Sequence, residues 1–207
     1  MEKFKRFISR AIFIETDNID TDQIIPARFL KTTEKTGLGK YMFYNWRYTD
    51  DGKTKNNIFD KRENQGSHLR QGYDGQAKIL VAGKYFGTGS SREHAVWALL
   101  DYGLRTVISS EFGDIFYNNS LKNGLLCIKL NDTGLKKLSE ILIKNPETEL
   151  SINLENQKIE IQDKNIYFNF DIDSFRKSCL LMGVDELGYI LSHADKISEY
   201  EKKISNF

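Results

Sequence analysis

The run Gly83–Ala95, GKYFGTGSSREHA, gathers the residues of this chain best suited to do chemistry. Gly87 and Gly89 let the backbone turn sharply just ahead of a helix-like stretch, so unpaired N–H groups there can point at an anion. Ser90 and Ser91 add hydroxyls, and Arg92 adds a planar fork shaped for a carboxylate. The chemistry this suggests is the binding of a small anionic molecule, most naturally one with carboxylates. The ordinary alternative is that one serine caps the helix and Glu93 completes a capping arrangement. For an isolated Ser-Ser-Arg-Glu that alternative is the better reading; the flanking Gly-Thr-Gly and His94 reverse the preference.

Better-known motifs are absent. There is no GxxxxGK[ST] phosphate loop, Arg92 stands where GxGxxG needs its third glycine, and no GxSxG nucleophile elbow is present. The cysteines, Cys127 and Cys179, lie far apart in apolar or patterned segments and read as buried free thiols. Isolated cysteines do not make an iron–sulfur site, and His68, His94 and His193 are too scattered for zinc. No metal site is therefore expected on this chain.

The loop must be carried by a strand before it and a helix after it. KILVAG reads as a buried strand and REHAVWALLDYG as an amphipathic helix ending near Gly103. RTVISS then predicts a strand, EFGDIFYNNSLKN a helix, GLLCIKL a strand, and residues 132–145 a helix stopped before Pro146. TELSINLEN, QKIEIQD and NIYFNF alternate with turn residues between them, a β meander. Residues 171–192 predict two short helices broken at Gly183, and 193–207 a surface helix or frayed tail. Upstream, FISRAIFI (7–14) is a strand, followed by a polar turn, DNIDTD, and an apolar stretch ending at Pro26. Residues 31–76 have little periodicity beyond a short helix around Gly39–Trp46; they form either a functional lid or a surface excursion. The aromatics Tyr41, Phe43, Tyr44, Trp46 and Tyr48 favour packing against something. The whole is a mixed α/β domain.

Composition sets the outer limits. The 207 residues, 40% hydrophobic, suit one sizeable globular domain, 1–207. With 30 Lys plus Arg against 29 Asp plus Glu, a nucleic-acid partner held by general electrostatics is not expected. No segment approaches the roughly 20 consecutive apolar residues of a membrane span. The N-terminus does not read as a signal peptide, so the expected location is cytoplasmic.

FGTGSSREHA resembles the serine loop of the aconitase superfamily, found in the mobile C-terminal domain that closes over an iron–sulfur cluster. DNIDTDQIIPARFL (17–30) resembles that domain's first strand–loop, and EFGDIFYNNSLKNGLL (111–126) the segment that follows the serine loop. FRKSCLLMGVDELGYIL (175–191) and GLGKYMFYNWRY (37–48) are similar to the tail and the long insertion of bacterial 3-isopropylmalate dehydratase small subunits. The resemblance implies an α/β fold of the swivelling β/β/α type, with a mixed sheet core, flanking helices and a long loop insertion over 31–76. It implies a hydro-lyase that interconverts 2-isopropylmalate and 3-isopropylmalate in leucine biosynthesis. Related subunits acting on citraconate, methylthioalkylmalate or homoaconitate remain as alternatives.

The resemblance also implies roles. Ser90 would be the catalytic base, acting as an alkoxide, with Gly89, Ser91 and Arg92 on a substrate carboxylate. Thr21, on the first strand–loop, would contact the substrate, and Leu30 and Lys31 would read its distal group. An apolar contact suits an isopropyl group, whereas the Lys31 cation suits an extra carboxylate. Asp20, Asp22, Glu93 and His94 would support the loops from behind, although an Asx-type turn explains the 20–22 segment equally well. The resemblance places a [4Fe–4S] cluster, the Lewis acid, on a separate large subunit. That subunit and a small dicarboxylate are the expected partners.

Overall fold

The computed structural model describes residues 1–31, 33–49, 77–89 and 92–204. Its centre is β1, Phe7–Ile14, the strand its sequence predicts, with Ser9, Ala11, Ile12 and Ile14 buried. The two halves of β1 serve different neighbours. Phe7–Arg10 pairs antiparallel with Glu149–Ile152 of β5 (Glu149–Asn153), whereas Ala11–Ile14 pairs parallel with β2 (Ile79–Ala82). β3 (Thr106–Ser109) and β4 (Leu126–Lys129) extend the parallel side. The meander β5, β6 (Lys158–Ile161) and β7 (Ile166–Asn169) extends the antiparallel side. The result is one seven-stranded sheet, ordered β4-β3-β2-β1-β5-β6-β7. The expected α/β mixed sheet with flanking helices is thus present.

Parallel neighbours need long crossovers, and from β2 to β3 and from β3 to β4 these are helices. Counting short turns of helix, α1 is Thr21–Ile24 and α2 is Tyr44–Arg47. The crossovers are α3 (Glu93–Tyr102), between β2 and β3, and α4 (Asp114–Asn123), between β3 and β4. Because strand side chains alternate in direction, the sheet fills two cores. On one face Ile12, Ile14, Leu80, Ala82 and Val107 meet Ala95, Val96, Ala98 and Leu99 of α3. On the other, Ala11, Ile79, Val81, Ile108 and Leu126 meet Leu135, Leu138 and Leu142 of α5 (Asp132–Lys144). Burying each such Leu is worth roughly 1.5–3 kcal/mol.

Three helices close the chain: α6 (Ser174–Met182), α7 (Glu186–Leu191) and α8 (Ala194–Ile204). No helix among the described residues is long and apolar enough to cross a membrane. Two local expectations change. DTDQI, read as part of a turn and an apolar stretch, forms the single helical turn α1, because Asp20 and Gln23 make a capping box. The helix expected around Gly39–Trp46 is split into a 3-10 turn, Gly39–Tyr41, and α2, because Phe43 between them sits at φ 48. Of the insertion over 31–76, residues 32 and 50–76 lie outside the described residues.

Candidate active site

Past their last ladder pairs, β1 and β2 continue side by side as loops. Gly83 N–H donates to Thr16 O (3.1 Å), Asn18 N–H to Lys84 O (2.7 Å), Gly87 N–H to Ile19 O (2.7 Å) and Thr21 N–H to Thr88 O (2.9 Å). The Asp17 carboxylate accepts from Lys84 N–H at 2.7 Å. β3 joins through Phe86 N–H to Glu111 O (3.0 Å) and Gly113 N–H to Phe86 O (2.9 Å). These bonds satisfy loop backbone that would otherwise be left unpaired, and they bring DNIDTD against Lys84–Thr88. The fit is tight. A Cβ added to Gly87 would stand 2.2 Å from the Phe116 ring, and Gly87 is at φ +75. Gly89 is at φ +95, beside Thr21 and Asp20; there the backbone angle, more than space, calls for glycine.

Arg92 and Asp22 meet across this junction as a salt bridge, 70 positions apart in sequence. The Arg92 side chain is 23% exposed and that of Asp22 55%, so the guanidinium is largely covered while its acid faces solvent. The Asp20 carboxylate is spent on α1: Oδ1 accepts from Gln23 N–H (2.7 Å), while Asp20 N–H donates to Gln23 Oε1 (2.8 Å). Thr21 is buried at the crossing of the two loops. Ser90 and Ser91 lie outside the described residues, between Gly89 and Arg92.

Helix α3 begins directly after Arg92, which is its N-cap without a side-chain hydrogen bond. The capping arrangement weighed for Ser-Ser-Arg-Glu turns on Ser90 and Ser91, which lie outside the described residues. Glu93 accepts on Oε1 from Asn123 Nδ2 (2.6 Å), at the end of α4. The Asn123 amide also donates to Asn119 O (2.9 Å) and accepts from Trp97 Nε1 (3.2 Å) and Lys35 Nζ (3.0 Å). His94 packs its ring 4.7 Å from that of Trp97. Asn123 was not among the residues expected from sequence: next to Gly124 it reads as helix-ending punctuation, and no spacing rule links it to Glu93.

A strap, residues 27–49 less residue 32, lies against α1 and α3. Gly39 N–H donates to Asp101 Oδ2 at 2.6 Å and Phe43 N–H to Ile24 O at 2.7 Å. Its aromatics do pack: Phe29 stacks on Tyr41 at 4.1 Å and Phe43 on Trp46 at 5.0 Å, with Phe43 fully buried. Leu30, partly buried, packs on the same core, and Lys31 is exposed next to it.

A concavity of about 430 Å³ opens near the ends of β1 and β2, lined by Glu15, Asp17, Lys84, Asp132 and Lys136 among others. None of the expected site residues lines it. Lys84 there is held above its ordinary pKa by Asp132, then by Tyr85 and Glu111. The thiols do not suit an iron–sulfur cluster. Cys127 is enclosed in the core on β4, where burial pushes its pKa up to about 12, and Cys179 is buried on α6, also raised by desolvation.

Residues 1–133 match the family described as the aconitase C-terminal domain. The 3-isopropylmalate dehydratase small subunit of Pelagibacter ubique is 47% identical over 206 residues, 100% of this chain and 95% of that protein. The chain belongs to this small-subunit family. Its counterpart from Cytophaga hutchinsonii is 46% identical, over 98% of this chain and 96% of that one. Among solved structures, 3-isopropylmalate dehydratase from Methanocaldococcus jannaschii superposes with a TM-score of 0.65 at 26% identity. That superposition covers 95% of this chain and 99% of the other. The family match ends at residue 133, so it takes in both loops of the junction, whereas the meander and the last helices lie beyond it.

Proposed function

We propose that this chain is the small subunit of a 3-isopropylmalate dehydratase, a hydro-lyase active only with its large subunit, and that its serine loop carries the proton-transfer half of the active site. The observation that carries the reading is the junction itself. Backbone pairing of two distant loops sets Arg92, at the head of α3, on Asp22, and Gly89 beside Thr21.

The reaction removes a proton from a carbon next to a carboxylate and a hydroxide from its neighbour, and then adds water back in the other sense. A carbon acid this weak needs a close base and stabilisation of the charge that develops. Ser90 is assigned as that base. A serine alkoxide is tenable only where its charge is stabilised, and the positive end of the α3 helix dipole together with Arg92 supplies such a field. Arg92, Ser91 and the Gly89 backbone hold the substrate carboxylate. Asp22 keeps the guanidinium oriented, and the strap presents Leu30 and Lys31 to the distal group. The Lewis acid for the departing hydroxide is the [4Fe–4S] cluster of the large subunit, in a cytoplasmic complex.

Mixing the purified chain with its large subunit tests this reading. Neither protein alone should convert 2-isopropylmalate, and together they should. Ser90→Ala should leave the complex assembled and lower turnover by about a thousandfold or more. Near-normal turnover would place the base elsewhere. Conversion of citraconate in preference to 2-isopropylmalate would move the substrate assignment to the related subunits.

A further inference from the structure

The strap differs in charge from the rest of the chain. Over 27–49 the sequence holds the cations Arg28, Lys31, Lys35, Lys40 and Arg47 against the one acid Glu34, whereas the whole chain carries +1. The remainder is therefore net negative. Arg28, Lys31, Lys35 and Lys40 are exposed. Among the described residues, the partners of Arg28, Lys35 and Lys40 are amides and rings, which leave the positive charge uncancelled. Arg28 donates from Nη2 to Asn45 Oδ1 (2.6 Å) and lies over the rings of Phe29 (4.7 Å) and Tyr44 (5.2 Å). Lys40 lies 4.9 Å from the Tyr41 ring centre, and Lys35 donates to Asn123 Oδ1 (3.0 Å) and lies 5.3 Å from the Trp97 ring centre. The rings hold one another in turn: Phe29 is stacked on Tyr41, and Tyr44 is tilted against Phe29 at 4.7 Å and against Tyr48 at 4.8 Å. All four rings are only partly buried.

We propose that this aromatic and cationic strap is the surface on which the large subunit docks, and that it meets an acidic face of that subunit. The inference rests on the small-subunit reading given above. Placement supports it. Phe43 N–H fastens the strap to Ile24 O of α1, and Gly39 N–H fastens it to Asp101 of α3. Asp22 lies on α1 and Arg92 heads α3, so a partner that completes the site must approach where the strap flanks it. Composition supports it as well. Tyr, Trp and Arg are enriched where protein interfaces bind most strongly, because rings give contact area with few torsions to freeze. Here the rings hold Arg28 in one orientation before a partner arrives, which lowers the ordering cost of binding. The charge then sets the sign of the partner, since opposite potentials speed encounter and suppress wrong partners. A nucleic acid fits less well, because Tyr41 and Arg28 already lie against the Phe29 ring, where a base would stack.

The test is to follow association of the chain with its large subunit at several salt concentrations. For the natural pair, affinity should fall about tenfold or more between about 50 mM and about 300 mM salt, mostly through the association rate. Arg28→Glu combined with Lys40→Glu should weaken binding at low salt by about tenfold or more and flatten its salt dependence. Turnover should recover once the large subunit is saturating, because neither residue is assigned to substrate. If the charge reversals fold poorly, Arg28→Gln combined with Lys40→Gln should act in the same direction, by about threefold. Lys158→Glu combined with Lys164→Glu, on β6 and the turn after it, changes net charge as much as the reversals do and should leave binding unchanged. Unchanged affinity in both strap variants would overturn the proposal, as would an equal loss in the meander pair. A raised KM for 2-isopropylmalate with association intact would also overturn it and make the strap a guide for substrate. A natural chain that binds no large subunit would overturn the small-subunit reading itself, and the proposal with it.

Discussion

The two sides of the sheet are built from similar strands and do different work. On the antiparallel side β5, β6 and β7 follow one another by short connections, and their ladder pairs leave little chain between strands. On the parallel side each return is a long crossover, and loops accumulate at the ends of β1, β2 and β3. There Asp22 and Arg92, 70 positions apart, can meet. β1 belongs to both sides, its first four residues to the meander and its last four to the parallel ladder. The contrast teaches that chemistry gathers where topology leaves chain over. A parallel strand pair supplies distant loops to one edge, and a meander does not.

The sharpest way to break this contrast is at the junction. Gly87→Ala meets both a backbone angle that L side chains resist and the Phe116 ring at 2.2 Å. The two effects together should cost about 3 kcal/mol of stability, read as a lower urea midpoint. Activity should fall with it, because the same loop leads into Ser90. A Gly87→Ala protein of native stability and activity would mean that the crossing is looser than its hydrogen bonds imply. Arg92→Lys comes next. Lysine keeps the charge but lacks the fork that can hold Asp22 and a carboxylate together. A drop of about 10- to 100-fold in kcat/KM is expected, with the complex intact.

Much of the fold was legible because it depends on local periodicity. The strand at 7–14, the helix closing at Gly103 and the break at Gly183 all follow from patterns a few residues long. The junction with β5 was not legible, since nothing in FISRAIFI says that its first half will pair with a strand about 140 positions later. The site divides in the same way. Gly87, Gly89 and Arg92 announce themselves as one contiguous motif, whereas the Asn123–Glu93 contact joins two helix ends 30 positions apart. Phe43 shows the limit at short range: an apolar residue at φ 48 interrupts a segment whose pattern reads as one helix, because its backbone N–H is taken by Ile24 O. The aromatic cluster of the strap was expected to pack, but its seat on α1 and α3 became visible only in the folded chain.

The smallest effect is expected on the other side of the sheet, and it is the control for the whole comparison. Arg6 and Glu160 form a 2.9 Å ion pair between the start of β1 and β6, with side chains 49% and 32% exposed. Arg6 also donates from Nε to Ser151 Oγ at 3.0 Å, so it keeps a partner when the acid is neutralised. An exposed pair of this kind contributes at most about 1 kcal/mol, and Gln retains an acceptor oxygen where the carboxylate stood. Glu160→Gln should therefore shift stability by less than about 0.5 kcal/mol and leave both kcat and KM unchanged. Raising the salt concentration should erase even that difference, since screening weakens exposed pairs first. A measurable loss of turnover in Glu160→Gln, at unchanged stability, would show that the meander reaches the chemistry after all. β1 would be the route, because the same strand that pairs with β5 at Phe7 runs on to the loop that holds Asp22.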